Sequence, residues 1–297
     1  MEIHRSGVIS IVGRPNVGKS TLTNALVGEK VAIVTNKPQT TRNRICAVLN
    51  RGGAQYIFMD TPGLHRPRTC LGDYMVNVAR QSVADVDAVL LVVEPIANIG
   101  PPEQELIGRI KALGVPAVLL INKIDTVKKE DLLPIIQVYS AAHSWSAVLP
   151  LSAKHGDGVE TLLDLLQTFL PEGPQLFPDD MVSDQPDRQA CAEIVREKLL
   201  LFLDKEIPHG TAVEVTKFSA RENGIVDLSV IIYCENTSHK GIIIGKDGGM
   251  LKKISTAARL DIERFLGTKV YLETWVKVKE NWRDSKPLVK NFGYRDE

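Results

Sequence analysis

Apolar and polar positions along the chain follow two rhythms, and the change between them falls near residue 171. From residue 7 to about 170, short β-branched runs alternate with segments of helical period: Val8–Val12, Tyr56–Met59, Ala88–Val93, Ala117–Ile121 and Val148–Leu151. Such runs are apolar nearly throughout, which predicts strands of a parallel sheet with helices on both faces. Residues 43–59, NRICAVLNRGGAQYIFM, break the rhythm. Two strand-like runs flank Arg51-Gly52-Gly53 with no room for a helix, so an antiparallel hairpin is expected at the sheet edge.

Between Pro171 and Pro186, four prolines and four acidic residues sit among few periodic apolar positions, the composition of a linker. After it Arg188–Lys205 is helical in period, Ala212–Phe218 and Val226–Tyr233 alternate like strands, Met250–Leu266 is helical, and Lys269–Val278 alternates again. The pattern therefore predicts a first domain over 1–170, a linker over 171–186 and a smaller α+β domain over 187–297. A length of 297 residues suits two domains that each bury a core.

Composition changes this picture little. The 36 basic and 36 acidic residues cancel, so any nucleic-acid or membrane surface must be a local patch. Cys46, Cys70, Cys191 and Cys234 show neither zinc-site spacing nor disulfide density, as in a reducing compartment. MEIHRSGVISIVG runs straight into a strand pattern rather than a signal peptide, and no apolar run reaches bilayer length. A soluble, cytosolic protein is expected.

Chemistry enters at Gly13-Arg14-Pro15-Asn16-Val17-Gly18-Lys19-Ser20, followed by Thr21. The stretch fits G-x-x-x-x-G-K-[ST] and stands directly after a buried strand and before a helix. Its backbone N–H groups and helix start suit phosphates, Lys19 reaches the β and γ oxygens, and Ser20 can ligate magnesium. Asn122-Lys123-Ile124-Asp125 follows a later strand, where the Asp125 carboxylate can accept two donors that guanine offers and adenine lacks. Ser152-Ala153-Lys154 follows the next strand and puts the Ala153 N–H in reach of the guanine oxygen. Asp60-Thr61-Pro62-Gly63 ends the hairpin: Asp60 would hold magnesium through water, and the Gly63 N–H would meet the γ-phosphate. Upstream, Pro38-Gln39-Thr40-Thr41-Arg42 is irregular and offers a magnesium ligand, Thr41 or alternatively Thr40, only while that phosphate is present.

The set GRPNVGKS, TT, DTPG, NKID and SAK resembles the translation-factor-class GTPases. DTPGLH with QTTR is similar to the ribosome-assembly GTPases of the TrmE-Era-EngA-like superfamily that carry a C-terminal KH domain. This resemblance covers the whole chain. It implies an α/β P-loop GTPase domain with a mixed six-stranded sheet, then a type II KH domain. It also implies hydrolysis of GTP to GDP with Mg2+, and a role as a monomer in maturation of the 30S ribosomal subunit through the 3′ end of 16S rRNA. A peripheral association with the inner face of the cell membrane is implied as well. Leu64 stands where Ras-like proteins orient the attacking water, so slow intrinsic turnover is expected. Related GTPases with the same apolar residue use potassium held partly by a P-loop asparagine, a position Asn16 matches.

A second glycine-spaced loop lies at Ile244-Gly245-Lys246-Asp247-Gly248. It matches the GXXG of KH domains, follows two strand-like runs, and precedes a helix carrying Lys252 and Lys253. Ile242, Ile243 and Ile244 favour a strand by propensity, whereas the KH resemblance implies a helix there, and the helix is the expectation adopted. Asp247 partly cancels Lys246, but twelve basic against six acidic residues between Ser238 and Lys290 make this end of a neutral chain basic. Trp275 and Trp282 could stack on bases; Trp275, in an alternating strand, is expected in the core. His65, His155 and His209 lack ligand spacing and are assigned no chemistry. Two rivals share the same motifs: a tRNA-modification GTPase, whose G domain sits inside a larger helical domain, and a nucleotide-gated adaptor for protein or membrane.

Overall fold

A computed structural model gives the fold of residues 5–65, 67–82 and 85–294. Met1–His4, which the N-terminal reading includes, lie outside the described residues. The chain divides into two compact units, Met1–Pro67 with Tyr74–Asp184, and Arg68–Asp73 with Gln185–Glu297.

The first unit is a six-stranded sheet in the order β2-β3-β1-β4-β5-β6, with β1 (Arg5–Val12), β2 (Ile45–Arg51), β3 (Ala54–Asp60), β4 (Ala88–Val93), β5 (Ala117–Ile121) and β6 (Ala147–Pro150). All pairings are parallel except β2 with β3, the expected edge hairpin. Every residue of β4 is buried because both faces of the sheet are covered. Ala88, Leu90 and Val92 enter one apolar layer with Leu22 of α1 (Lys19–Val27) and Leu162 of α5 (Val159–Gln167). Val89, Leu91 and Val93 enter the other, with Val76 of α2 (Cys70–Gln81), Leu106 of α3 (Pro101–Leu113) and Tyr139 of α4 (Leu132–Ala142). The strand ends that carry the motifs thus emerge between two packed layers, on a rigid base.

The stretch read as a linker over 171–186 is, as far as Asp184, part of the first unit. The buried side chain of Gln55 holds it: Oε1 accepts from Leu176 N (2.8 Å) and Phe177 N (2.9 Å), and Nε2 donates to Phe177 O (2.8 Å). Val48 N donates to Val182 O at 2.8 Å, covering the edge of β2. Proline-rich composition here suits a stitched edge cover rather than a loose tether.

The second unit runs α6 (Asp187–Phe202), β7 (Ala212–Ala220), β8 (Val226–Cys234), α7 (Thr237–Ile244), α8 (Gly249–Leu266) and β9 (Val270–Val278). Its sheet order is β7-β8-β9, antiparallel then parallel. Alternate residues of β8, from Val226 to Cys234, are buried against Ile194 and Leu199 of α6 and Ile254, Ala258 and Ile262 of α8. Helices cover one face only, so the sheet's other face is open. The three isoleucines do form a helix: Asn236 caps α7, its Oδ1 accepting from His239 N at 2.8 Å, and burial of Ile243 outweighs a few tenths of a kcal/mol of propensity.

The tryptophan expectation is reversed. Trp275 is 63% exposed, whereas Trp282 is wholly buried. Trp282 Nε1 donates to Gly210 O at 2.9 Å, and its ring meets Phe292 edge-on. Trp275 shares its face of β9 with exposed Glu273 and Lys277, and Val270 and Val276 are the residues turned inward.

Candidate nucleotide and RNA sites

In the first unit Lys19 opens α1 and is buried. Its ammonium donates to Arg14 O at 2.8 Å and Gly13 O at 3.2 Å, filling the loop that phosphates would enter. Burial lowers its pKa to about 8, against the attraction of Asp60. Asp60 closes β3 and is fully buried; desolvation raises it to about 6, although Lys19 and Ser20 act the other way. Each is strained in its charge state by dryness, the condition under which a magnesium-nucleotide complex gains most from both.

Ser20, Thr41 and Asp60 converge. Ser20 Oγ donates to Asp60 Oδ2 at 2.7 Å and lies 2.7 Å from Thr41 Oγ1, which is then the donor. The other threonine is otherwise engaged: Thr40 Oγ1 donates to Lys37 O and lies 2.7 Å from Thr35 Oγ1. Asp60 Oδ1 is buried with no hydrogen-bond partner. Two hydroxyls and one partly unsatisfied carboxylate form a hard oxygen set that fits Mg2+, which takes few protein ligands and completes its shell with water and phosphate.

The neighbouring residues are placed by backbone contacts. Leu64 N donates to Gly13 O at 3.2 Å, joining Gly63 to the P-loop, and Thr61 Oγ1 donates to Ile11 O at 2.9 Å. Leu64 is buried in the apolar layer beneath, with no polar atom to offer water. Asn16 stands at a φ of 65° and donates from Nδ2 to Asn36 O at 3.0 Å, so the P-loop touches the irregular segment before Thr41. A cavity of about 380 Å³ opens here, lined among others by Pro15, Asn16, Lys19, Thr21, Thr41 and Gly63.

At the base end Asn122 is a buried strut. Its Nδ2 donates to Val17 O at 2.8 Å and its Oδ1 accepts from Ala153 N at 3.0 Å. The Ala153 N–H, expected to meet a guanine oxygen, donates here to Asn122. Gly18, at a φ of 102°, must be glycine: a Cβ there would lie 2.2 Å from Asn122 Nδ2. Asp125 is held by Ser152, whose Oγ donates to Oδ1 at 2.6 Å and keeps the carboxyl below its ordinary range. Lys154 is exposed beside it.

Sequence reasoning missed a chain of charges that ties these motifs together. Lys123 Nζ donates to Glu94 Oε1 at 2.6 Å, Glu94 lies 3.8 Å from Arg14, and Arg14 pairs with buried Glu103. The available signal was Glu94 itself, a carboxylate directly after an apolar strand.

In the second unit the Gly245–Gly248 loop joins α7 to α8. Gly245 and Gly248 both have a φ of 74°, but only the first is crowded: a Cβ at Gly245 would meet Met250 Cβ at 2.7 Å, whereas at Gly248 nothing lies within 4 Å. Lys246 and Asp247 are exposed, and Asp247 is also left-handed at a φ of 50°. No side chain caps α8, so its first N–H groups face the loop. Ile244 is half buried, Lys252 is exposed, and Lys253 lies over the Phe202 ring at 4.4 Å. Of the basic excess, Arg259, Arg264, Lys269 and Arg283 are tied to carboxylates, which leaves the positive surface nearer the loop than the count suggests.

Residues 8–123 match the family described as 50S ribosome-binding GTPase, and residues 206–283 match the KH domain. The chain is 50% identical to GTPase Era of Ruminiclostridium cellulolyticum, over 98% of both chains, and 49% identical to GTPase Era of Clostridioides difficile, over 98% of this chain and 99% of the relative. The chain belongs to the Era family of GTPases. Among solved structures, an Era complex with MgGDPNP and nucleotides 1506–1542 of 16S ribosomal RNA superposes with a TM-score of 0.95 at 38% identity, covering 99% of this chain and 100% of that one. An Aquifex aeolicus Era variant bound to GDP·AlF4− gives 0.94 at 39%, covering 98% and 100%. The Era-like order of a six-stranded mixed sheet with helices followed by a KH domain is the architecture described above.

Proposed function

We propose that this chain hydrolyses GTP to GDP and binds the unpaired 3′ end of 16S rRNA, coupling its nucleotide state to assembly of the 30S subunit. The observation that carries the reading is the meeting of Ser20, Thr41 and Asp60 beside buried Lys19, in a chain that also presents the open Gly245–Gly248 loop. The Era complex with MgGDPNP and 16S RNA supports both halves. Lys19 exchanges Gly13 O and Arg14 O for phosphate oxygens, and the N–H groups from Asn16 to Thr21 wrap the chain of phosphates. Ser20, Thr41 and Asp60 hold Mg2+, which when bound neutralises charge that builds on the phosphates. Asp125 accepts from guanine while Asn122 keeps the two loops in register, and Lys123 lies between base and Glu94. Gly63 contacts the γ-phosphate, so its loss frees both this residue and Thr41.

Asn16 supplies the potassium site in this reading. Its amide is already placed between the P-loop and Asn36, and Leu64 offers no water-orienting group. Turnover faster in potassium than in sodium chloride is expected, and equal rates in the two salts dismiss the role. Peripheral membrane association forms no part of the proposal.

The tRNA-modification reading is disfavoured, since the relatives matched over 98–99% of their length are described as GTPase Era. Crosslinking of the protein to RNA in cells, followed by sequencing, should recover the 3′ end of 16S rRNA. GTP, but not ATP, should displace a fluorescent GDP from the same protein. Recovery of tRNA, or of no RNA, overturns the reading.

A further inference from the structure

The open face of the second unit's sheet carries an exposed tryptophan that the GXXG groove does not use. Trp275 lies on β9, an edge strand, in register with Ile231 of β8. Its neighbour Thr274 points the other way, with Oγ1 2.8 Å from Ser255 Oγ of α8, so β9 borders the helices that hold the loop on one face and displays the indole on the other.

We propose that Trp275, with Lys277 and Lys279 beside it, is a second RNA contact that stacks an unpaired base of the strand held at Gly245–Gly248. The proposal rests on the RNA-binding reading above. Three observations favour RNA. Trp275 is the most exposed of the described tryptophans, at 63%. Lys277 shares the strand face with Trp275 and Lys279 follows just past the strand end; both are exposed and make no ion pair among the described residues. The carboxylates of this face are engaged: Glu273 accepts from Ser229 and from Tyr271, each at 3.2 Å, and Asp227 is paired with Lys217 and Arg221. An aromatic platform beside free cations is how single strands are held without regard to sequence, whereas the core of a protein interface is depleted in lysine.

The test uses the full chain with MgGDPNP, the nucleotide of the Era–RNA complex, and two labelled oligonucleotides from the 3′ end of 16S rRNA, a pentamer that fills the groove and a twelve-mer that extends beyond it. Trp275→Ala should weaken twelve-mer binding about tenfold and leave the pentamer unchanged. Trp275→Phe should retain most of the affinity, and the twelve-mer should quench tryptophan fluorescence in the wild type but not in that variant. Unchanged pentamer affinity shows that the second unit is folded in both variants, and unaltered GTP turnover shows the same for the first. Equal twelve-mer affinity in wild type and Trp275→Ala, or equal losses for both lengths, overturns the proposal. So does loss of a self-associated species in sedimentation without loss of RNA affinity, which would assign the face to a second copy. If the wild type binds neither oligonucleotide, the RNA-binding reading itself has failed.

Discussion

The loops at residues 13–20 and 245–248 both turn a glycine corner into the start of an uncapped helix, yet they solve opposite problems. The first is built into the end of a sheet between two apolar layers. Its lysine is buried on its own carbonyls, and a Cβ at Gly18 would strike Asn122. The second lies on the surface, where Lys246 and Lys252 are exposed and the space around Gly248 is empty. A compact polyanion that must be gripped in one orientation calls for a dry, prearranged cradle, where each charge interaction is strong. A long strand that must slide in and leave calls for an open one, with affinity spread over backbone contacts and mobile cations. The same helix-start geometry serves both, and burial decides which.

Three experiments probe that contrast. Lys19→Ala should lower kcat about a thousandfold, because a transition-state charge contact is lost in a dry site. RNA affinity of the nucleotide-free protein should not change, and phosphate release with a parallel RNA titration reads both. Gly245→Asp together with Gly248→Asp should weaken RNA binding by roughly ten- to a hundredfold through crowding and repulsion, with basal GTP hydrolysis unaffected. Undiminished RNA affinity in this variant would reduce the loop to a structural turn. The smallest effect concerns pH. Burial raises Asp60 to about 6, so below that pH the carboxyl holds a proton that Mg2+ must displace. Affinity for magnesium-GDP should therefore fall as pH drops from 6 to 5, by about fivefold for one proton titrating near the top of that range. RNA binding, which depends on N–H groups and lysines, should move less over the same range, and titration calorimetry at the two pH values compares them.

Much of this was legible in the residues. The uniform burial of β4 and the hairpin around Gly52 and Gly53 follow from local pattern, because each depends on neighbours along the chain. Trp275 was misjudged from its type, although the alternation held the answer: Val270, Leu272, Val276 and Val278 share one side of β9, and Tyr271, Glu273 and Lys277 share the other with the indole. Side-chain parity outranks hydrophobicity at a single position. Other features had no local trace. The burial of Trp282 depends on Gly210, Phe292 and Tyr294, far from it in sequence or placed by an aperiodic tail. The pairing of Ala153 N with Asn122, and the capture of residues 176–177 by Gln55, join segments that no pattern relates.

Asn122 illustrates how narrow such a position becomes. One terminal amide gives a proton to Val17 O and takes one from Ala153 N, so the two ends of the nucleotide site share a single rivet. Aspartate would turn a lone pair toward the Val17 carbonyl, and glutamine would overshoot by a methylene. With a side chain that is irreplaceable for its length as much as its polarity, slack at either end of the bound nucleotide is transmitted at once to the other.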